Sequence, residues 1–343
     1  MIDLRSDTVT LPTAAMLEAM SRAKLGDDVY GEDPTVSSLE QHTAQLLGKA
    51  AGLFVPSGTM GNLCAMLTHC ARGSRVIVGR ESHIVRYEGG GASVLGGLML
   101  DPVQNLDDGG IDAAELDAAL ESPDDPHVAP AGMLALENTH NRCGGKVLDA
   151  ARIARLADAA HERGIPVHVD GARLFNAAAA LGVPARSLVT TADSVQVCFS
   201  KGLSAPVGSM LLGTTSFIHR ARRIRKMLGG GMRQAGVLAA ACRVALDSMV
   251  HRLADDHARA RCLAAGLSRL GSAFDVVEPA SNMVFVRAKD ADGAVARVVS
   301  TLRENDILAS AVDGVRLRLV LHAGIRDEDV ERAIAVFAQL RAA

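Results

Sequence analysis

Asp170 and Lys201 form the pair of side chains whose types and positions best suit chemistry. Asp170 ends an apolar run that starts at Val167, and Lys201 follows the apolar run that ends at Phe199. Ligands of open parallel sheets sit at the carboxyl ends of the strands, so two such ends would present a carboxylate and an amine to one crevice. Pyridoxal phosphate (PLP) needs both groups, since a lysine forms its Schiff base and an acid keeps its pyridine nitrogen protonated. Taken alone, such a pair is more often a surface acid and a surface lysine.

A loop of small residues is a candidate phosphate site. Ser57, Gly58 and Thr59 follow the short apolar run Leu53–Pro56 and open a helical pattern. The N-terminus of a helix offers free N–H groups and a favourable dipole to an anion, although the same residue types are also common as a simple cap and turn. Ser200, beside the lysine, offers a further hydroxyl, and its alternative is a turn at a strand end.

His83 follows the predicted strand that ends at Gly79, which is again the carboxyl end of a strand. A flat ring is needed to cover the pyridine ring, and the chain has no Trp and only two Tyr. Histidine also exchanges a proton near neutral pH. A lone histidine in this position is more often structural, so the assignment depends on the other residues of the site.

Strands and helices alternate through the first two thirds of the chain. Short apolar runs flanked by turn residues or charges are typical of buried parallel strands. Five are predicted: Arg75–Gly79, Met133–Glu137, Pro166–Asp170, Ser194–Phe199 and Ser209–Gly213. Helical patterns cover 35–48, 59–72 and Asp149–Arg163. This alternation predicts an α/β fold with a mostly parallel central sheet and helices on both faces.

The pattern changes near Gln234, where a long helical stretch runs to about Leu270. It is followed by a strand at Met283–Arg287, a helix near 292–305, a strand at Arg316–Leu321 and a last helix near 327–341. A small C-terminal α+β domain is predicted, with a boundary near residue 245. The chain would then divide into a large cofactor-binding domain with an N-terminal arm, 1–245, and a small domain, 246–343.

The composition excludes several classes of protein. A net charge of −3 and a pI near 6.4 give no electrostatic case for a nucleic acid or an anionic membrane as partner. The first residues include acids and no apolar run, so no signal peptide is expected, and no apolar stretch is long enough to span a membrane. Six scattered cysteines without a C-x-x-C pair predict thiols, with no disulfide frame and no metal site. A cytoplasmic protein is expected.

Several motifs together resemble the low-specificity L-threonine aldolases, which have the aspartate-aminotransferase-like fold, fold type I, of PLP enzymes. The resemblance runs from the first residues to the last helix, and its first and last motifs are specific to the family. The motifs are Asp3-Leu-Arg-Ser-Asp-Thr-Val-Thr10, Gly26-Asp-Asp-Val-Tyr-Gly31, the Ser-Gly-Thr loop, Glu137-Asn-Thr-His-Asn141, His168-Val-Asp-Gly-Ala-Arg173, Ser200-Lys-Gly-Leu203, Pro206-Val-Gly-Ser209 and Lys226-Met-Leu-Gly-Gly-Gly-Met-Arg-Gln234.

The resemblance implies a role for each matching position around the cofactor. Lys201 carries PLP, Asp170 pairs with the pyridine nitrogen, and His83 stacks on the ring. The phosphate is held by the Ser57 loop, through Gly58 and Thr59, and by Ser200.

The resemblance also implies how the substrate is bound. Ser6, Arg173 and Arg318 match positions that bind the substrate carboxylate, a task that suits the planar guanidinium. Arg173 also matches a cofactor-binding position, in contact with the phenolate oxygen of PLP. Arg316 would share a strand face with Arg318, so the register of this strand is open. His127 matches a histidine near the substrate hydroxyl, and Tyr30 matches a position at the rim of the site. Lys226 and Arg233 match a segment that reaches the site of a neighbouring subunit, which predicts a homo-oligomer, a tetramer built as a dimer of dimers.

The activity that the resemblance implies is cleavage of the Cα–Cβ bond of L-threonine, L-allo-threonine and other β-hydroxy amino acids to glycine and an aldehyde. The base that takes the β-hydroxyl proton stays open between His83, His127 and a water. The preference between the two threonine epimers also stays open. The alternatives are a β-eliminating lyase or an aminotransferase of the same fold, or a non-catalytic PLP-binding scaffold. The last would be expected to lack at least one of the site residues.

Overall fold

The computed structural model of the protein describes residues 1–121, 123, 125–271, 274–288 and 294–340. Its strands are β1 (Ile2–Asp3), β2 (Ala51–Val55), β3 (Arg75–Gly79), β4 (Met99–Val103), β5 (Ala131–Glu137), β6 (Val167–Gly171), β7 (Ser194–Cys198), β8 (Ser209–Gly213), β9 (Phe274–Val277), β10 (Met283–Ala288), β11 (Ile307–Leu308), β12 (Ser310–Ala311) and β13 (Arg316–Val320). Its α-helices are α1 (Ala14–Ser21), α2 (Pro34–Leu46), α3 (Gly58–His69), α4 (His83–Arg86), α5 (Gly91–Val94), α6 (Ala113–Leu120), α7 (Ala150–His161), α8 (Leu174–Leu181), α9 (Thr215–Met227), α10 (Gly236–Ser248), α11 (Leu253–Ser268), α12 (Ala294–Glu304) and α13 (Asp327–Leu340).

The central sheet has seven strands in the order β2-β8-β7-β6-β5-β3-β4. The five strands from β7 to β4 in this order run parallel, which confirms the predicted α/β class with a mostly parallel sheet. The prediction of a parallel strand at Ser209–Gly213 is wrong, because β8 runs antiparallel to both of its neighbours. The connection 199–208 contains no helix, and a parallel return requires a crossover of a dozen residues or more.

Most helices and strands begin and end within a few residues of the ends that the sequence predicts. Helix α7 begins after Asp149, whose side chain accepts the N–H of Arg152, and it buries the predicted stripe of Ile153, Leu156, Ala157 and Ala160. The predicted helical stretch from 234 to 270 is wrong as one helix, because 249–252 separate α10 from α11. No Gly or Pro marks this break. Residues 292, 293 and 341 of the predicted helices lie outside the described residues.

Strands β1, β4, β9, β11 and β12 have no counterpart in the predictions, and β4 and β9 are the longest of them. Strand β4 lies at an edge of the sheet, exposes Met99 and contains Pro102, so it lacks the apolar run of a central strand. Strand β9 pairs with β10 at the edge of a second, four-stranded antiparallel sheet in the order β12-β13-β10-β9. Edge strands carry a weak sequence signal because only part of their surface is buried.

The N-terminal arm packs with the C-terminal part of the chain. Strand β1 pairs in parallel with β11, and Ile2 and Leu4 join a core cluster formed otherwise by residues from Ala260 to Phe337. The larger core cluster includes α10 and extends to Leu253. The division near residue 245 stays a prediction. No helix among the described residues is both long and apolar enough to cross a membrane.

Candidate active site

Lys201 lines a cavity of about 370 Å³ between the central sheet and the four-stranded sheet. The cavity is rich in cationic side chains, and one wall consists of residues from β10, β12 and the segment after it. Its lining residues are Ser6, Thr8, His83, Tyr87, Asn141, Arg142, Arg173, Lys201, Phe285, Ser310, Ala311, Val312 and Arg318. Such a site would attract an anionic group, such as the carboxylate of an amino acid or a phosphate.

Lys201 lies in the tight connection between β7 and β8. Its carbonyl accepts the N–H of Ser204, which has a positive φ of 63°, and the hydroxyl of Thr10 from the N-terminal arm. Phe199 bonds to both Gly208 and Ala205 through its backbone. The short hairpin therefore fixes the backbone from which the lysine extends, with Ser200 beside it.

Asp170 is buried at the end of β6. Its Oδ1 accepts the N–H of Ala172 at 3.1 Å, and its Oδ2 accepts an amide hydrogen of Asn62 at 2.8 Å. Two donors stabilise the charged carboxylate, and lone pairs remain for a third donor. Asp170 can therefore accept a protonated ring nitrogen, as the sequence predicts.

His83 begins α4 and lies close to Asp170. Its backbone N–H donates to Glu137 Oε2 at 2.6 Å, and its Nδ1 lies 2.9 Å from Glu88 Oε1. Burial lowers the pKa of His83, but the hydrogen bond to Glu88 and the charge of Asp170 outweigh it and leave the pKa raised. Burial raises the pKa of Glu88 in turn. Glu88 lies five residues after His83, but its partnership with His83 was not predicted.

The ligand atoms of His83, Glu88 and Asp170 all lie within 4.8 Å of one another, close enough to hold a metal ion. Asn62, however, donates one amide hydrogen to Glu88 and the other to Asp170. These N–H groups occupy oxygen lone pairs that a cation would need. The arrangement is better explained by hydrogen bonding and charge pairing around the histidine.

Arg173 is held by Asp7, a partner that the sequence did not predict. Its Nε and Nη2 donate to the two oxygens of Asp7 at 2.8 and 2.6 Å, and both side chains are buried. Burial raises the pKa of Asp7, but Arg173 and Lys201 together lower it well below its usual range. Such a bidentate pair fixes the plane of the guanidinium, while Arg173 still lines the cavity.

We expect Asp7→Ala to lower the free energy of unfolding by about 3–5 kcal/mol, because it leaves the Arg173 guanidinium buried without its counter-charge. Since folding lowers the pKa of Asp7, the pair should stabilise the protein fully above the unfolded pKa of about 3.9 and progressively less as the pH falls below it. Denaturant unfolding at pH 7 and pH 3 measures both effects. Equal losses at the two pH values would contradict the assignment.

Arg318 reaches the cavity, and Arg316 does not. The Nη1 of Arg318 donates to Asn141 Oδ1 at 2.5 Å and its Nη2 donates to the Arg5 carbonyl at 3.0 Å. Its Nε is buried and has no hydrogen-bond partner among the described residues. Arg316 pairs instead with Asp313 at 2.7 Å. Of the two arginines, only Arg318 lines the cavity.

The loop at the start of α3 fits a phosphate. Ser57 Oγ accepts the Met60 N–H, and its carbonyl accepts the N–H of Gly61. The N–H groups of Gly58 and Thr59 therefore have no partner within the helix. A Cβ on Gly58 would lie 2.8 Å from Cys198 Sγ, so this position requires glycine. With the carboxylate of Asp170 and the amine of Lys201, this donor set fits PLP.

His127 is not brought to the cavity. Its side chain is 90% exposed, and its Nδ1 lies 2.8 Å from Asp125 Oδ1 in a polar loop. Residues 122 and 124 of this loop lie outside the described residues. Nothing in this protomer supports a role for His127 near the substrate, which stays a prediction from the resemblance.

Tyr30, Lys226 and Arg233 lie near one another, but none of them lines the cavity that contains Lys201. Tyr30 is 75% exposed at the end of a 3₁₀ helix, and Arg233 pairs with Asp27 at 3.0 Å in the same loop. Lys226 lines a surface depression together with Val29. This placement gives none of the three residues a contact with the cavity of the same chain.

Comparison with known proteins agrees with this geometry. Residues 3–291 match the family described as beta-eliminating lyase. Low-specificity L-threonine aldolase 1 of Arabidopsis thaliana is 46% identical over 98% of this chain and 96% of its own length. The low specificity L-threonine aldolase of Escherichia coli K12 is 44% identical over 98% of each chain. The solved structure of Leishmania major threonine aldolase has the same fold, with 21% identity, a TM-score of 0.84, and coverage of 99% of this chain and 100% of that one.

The chain therefore belongs to the beta-eliminating lyase family and, within it, to the low-specificity L-threonine aldolases.

Proposed function

We propose that the protein is a PLP-dependent aldolase that cleaves L-threonine, L-allo-threonine and related β-hydroxy amino acids to glycine and an aldehyde. The observation that carries the proposal is that Lys201, His83 and Arg318 line one cavity, while buried Asp170 lies within 4.8 Å of His83. A Schiff-base lysine, a ring partner, a carboxylate ligand and a pyridine partner are the groups that this reaction needs.

The site residues divide into those that hold the cofactor and those that orient the substrate. Lys201 would bind PLP covalently, and the start of α3 with Ser200 would bind its phosphate. When bound, the pyridine ring supplies an acceptor for the electron pair of the broken Cα–Cβ bond. Asp170 would keep the ring nitrogen protonated, and His83 would supply the ring that stacks on the cofactor.

Arg318, Ser6 and Arg173 would hold the substrate carboxylate. Fixing that group would fix rotation about the N–Cα bond of the substrate and so determine which bond at Cα is broken. Orientation of this kind is worth roughly 7–11 kcal/mol when the geometry is well held. The four-stranded sheet closes one wall through Phe285 and Ser310, which limits the access of water.

We assign the base for the β-hydroxyl proton to His83. It lines the cavity, and Glu88 can fix the orientation and protonation of its ring. A base of this kind typically contributes about 10²–10⁴ in rate. If His83→Phe retained nearly full turnover, the base would have to be His127 or a bound water.

The proposed activity is tested with the purified holoenzyme and each threonine epimer. We expect glycine and acetaldehyde in equal amounts, with the ratio of rates giving the preference at Cβ. A β-eliminating lyase would instead release ammonia and 2-oxobutyrate, and an aminotransferase would need a keto acid as second substrate. PLP-loaded protein that yields no acetaldehyde from either epimer would reject the aldolase.

Arg318→Lys should lower kcat/KM by about 10–100-fold, mainly through KM, because lysine keeps the charge but cannot make the paired contacts of a guanidinium to a carboxylate. Arg316→Lys is the matched control on the same strand and should have little effect. Steady-state kinetics of both variants measures this. Equal losses in the two variants would show that the register carried over from the family is wrong.

We propose that the protein forms a homo-oligomer, a tetramer built as a dimer of dimers, in which Tyr30, Lys226 and Arg233 serve the site of a neighbouring subunit. Their placement away from the cavity of their own protomer supports this arrangement. The exposed Met227 next to Lys226 also favours a covered surface here.

Co-expression of Lys201→Ala and Lys226→Ala chains should restore activity that neither variant has alone. In a mixed dimer, one site combines the intact Lys201 of one chain with the intact Lys226 of the other, so random pairing restores about a quarter of the sites. Differently tagged chains allow the mixed species to be purified and assayed. Activity no greater than the sum of the two variants would contradict a shared site.

We also propose that the protein is cytoplasmic. All six cysteines are unpaired, including the exposed Cys262. Free thiols persist in a reducing compartment, whereas exported proteins more often contain disulfides.

A further inference from the structure

The buried amide of Asn62 joins the two carboxylates of the site. On α3, its Nδ2 donates to Glu88 Oε1 at 2.7 Å and to Asp170 Oδ2 at 2.8 Å. Carboxylate oxygens accept hydrogen bonds, so the amide nitrogen must face the acids. The amide oxygen, Oδ1, then faces away from them.

His168 holds that oxygen from the other side. Its Nε2 lies 3.1 Å from Asn62 Oδ1, and because an amide oxygen only accepts, Nε2 must carry the hydrogen. Burial lowers the pKa of His168 to about 3, so its ring is neutral and has a single N–H. The Nδ1 atom therefore has a lone pair, which accepts the hydroxyl hydrogen of Ser194 at 2.8 Å.

His69 is the last member of a series of hydrogen-bonded side chains that runs from Asn62 through His168 and Ser194. Ser194 has given its only hydrogen to His168, so its Oγ accepts from His69 Nε2, which lies 2.8 Å away. Burial lowers the pKa of His69 to about 4, and its ring stacks on Phe217 at a centroid distance of 4.5 Å. His69 and Asn62 lie two turns apart on one face of α3, so a single helix holds both ends of the series.

Every hydrogen in this series points the same way, from His69 through Ser194 and His168 to the Asn62 amide and on to the acids. Hydrogen bonds in such a series polarise one another. The direction matters, because a flipped amide would turn its oxygen toward two carboxylates. Asp170 and Glu88 already repel each other, and the two shared N–H groups offset that repulsion.

We propose that His69, Ser194 and His168 are positioning residues that lock the Asn62 amide and thereby hold Asp170 toward the cofactor and Glu88 against His83. The proposal rests on the PLP function proposed above. The contrary explanation is that these buried polar groups only satisfy one another and stabilise the fold.

The test compares three variants of the series with a matched control. His168→Phe removes the donor to Asn62, His168→Gln keeps an N–H near the same place, and Ser194→Ala removes one hydroxyl. The control is His257→Phe, since His257 is also buried, with a pKa lowered to about 4, and its Nε2 lies 2.9 Å from an amide oxygen, that of Asn176. Neither residue of the control pair lines the cavity.

Each variant is titrated with PLP as apoenzyme, and its visible spectrum and melting temperature are recorded. We expect His168→Phe to weaken PLP binding by about tenfold or more and to shift the visible band, because Asp170 loses a well-oriented, charge-assisted donor. Ser194→Ala should change both in the same direction, and His168→Gln should restore most of the affinity. His257→Phe should lose stability with unchanged affinity and spectrum.

Wild-type affinity and spectrum in His168→Phe, or changes as large in His257→Phe, would overturn the proposal. If His168→Phe does not fold, the PLP affinity and visible spectrum of Ser194→Ala provide the same test. If the wild-type protein bound no PLP, the proposed function itself would be rejected. If it bound PLP and the variants of the series did so equally well, only the positioning role would be rejected.

Discussion

Lys201→Ala should abolish aldolase activity, by about 10⁴-fold or more, and the visible band of covalently bound PLP with it. A lysine fixed beside the reacting centre acts at an effective concentration far above that of any free amine, and it is the only lysine that lines the described part of the cavity. Alanine keeps the carbonyl of residue 201, which accepts the hydrogen bonds of Ser204 and Thr10, so the fold should tolerate it. The measurements are acetaldehyde release and the spectrum of the purified variant.

Lys24→Ala is the matched control, because Lys24 is an exposed lysine outside the cavity. It should have the activity and the spectrum of the wild type. Activity of Lys201→Ala above a hundredth of the wild-type value, with the visible band retained, would show that another amine carries the cofactor.

Asp170→Asn should lower kcat by about 10²–10³-fold, with a smaller change in stability. The amide keeps the size of the side chain but removes the charge that holds a proton on the pyridine nitrogen, and loss of one preorganised electrostatic partner typically costs this much. In the wild type, the N–H groups of Asn62 and Ala172 both donate to the Asp170 carboxylate. The asparagine side chain would place its own N–H group opposite one of these donors. PLP affinity, kcat and melting temperature are measured together.

Asp149→Asn provides the control for this change of acid to amide. Asp149 is an exposed helix cap, and asparagine caps a helix about as well as aspartate. The control should be neutral in every measurement. If Asp170→Asn had the kcat of the wild type, Asp170 could not be the partner of the ring nitrogen.

The sequence predicts the fold best where one strand or helix carries its own signal. The ends of β3 and β8 are predicted correctly, because each is a short apolar run between turn residues. The direction of β8 was missed, although the predicted strand ends leave only residues 200–208 for the connection, too few for a parallel crossover. The break between α10 and α11 has no Gly or Pro to mark it.

For the site, too, the positions of single residues were predicted better than the contacts between them. Asp170, Lys201 and His83 follow predicted strands, so the carboxyl-end rule brings them to one edge of the sheet. The partners of these residues could not be predicted, because Asp7, Asn62 and Glu88 come from separate segments that meet only in the folded chain. Asp7 lies within the first motif, and Asn62 and Glu88 closely follow the Ser-Gly-Thr loop and His83, but nearness in the sequence gives no pairing. The roles of the site residues stay predictions until the variants are measured.

The most direct test of the central claim is to locate the cofactor on the chain. The PLP-loaded protein is reduced with borohydride, digested and examined by mass spectrometry. We predict a phosphopyridoxyl group on the peptide that contains Lys201 and on no other peptide. A reduced cofactor on a different lysine, or a holoenzyme that cannot be trapped by reduction, would contradict the account.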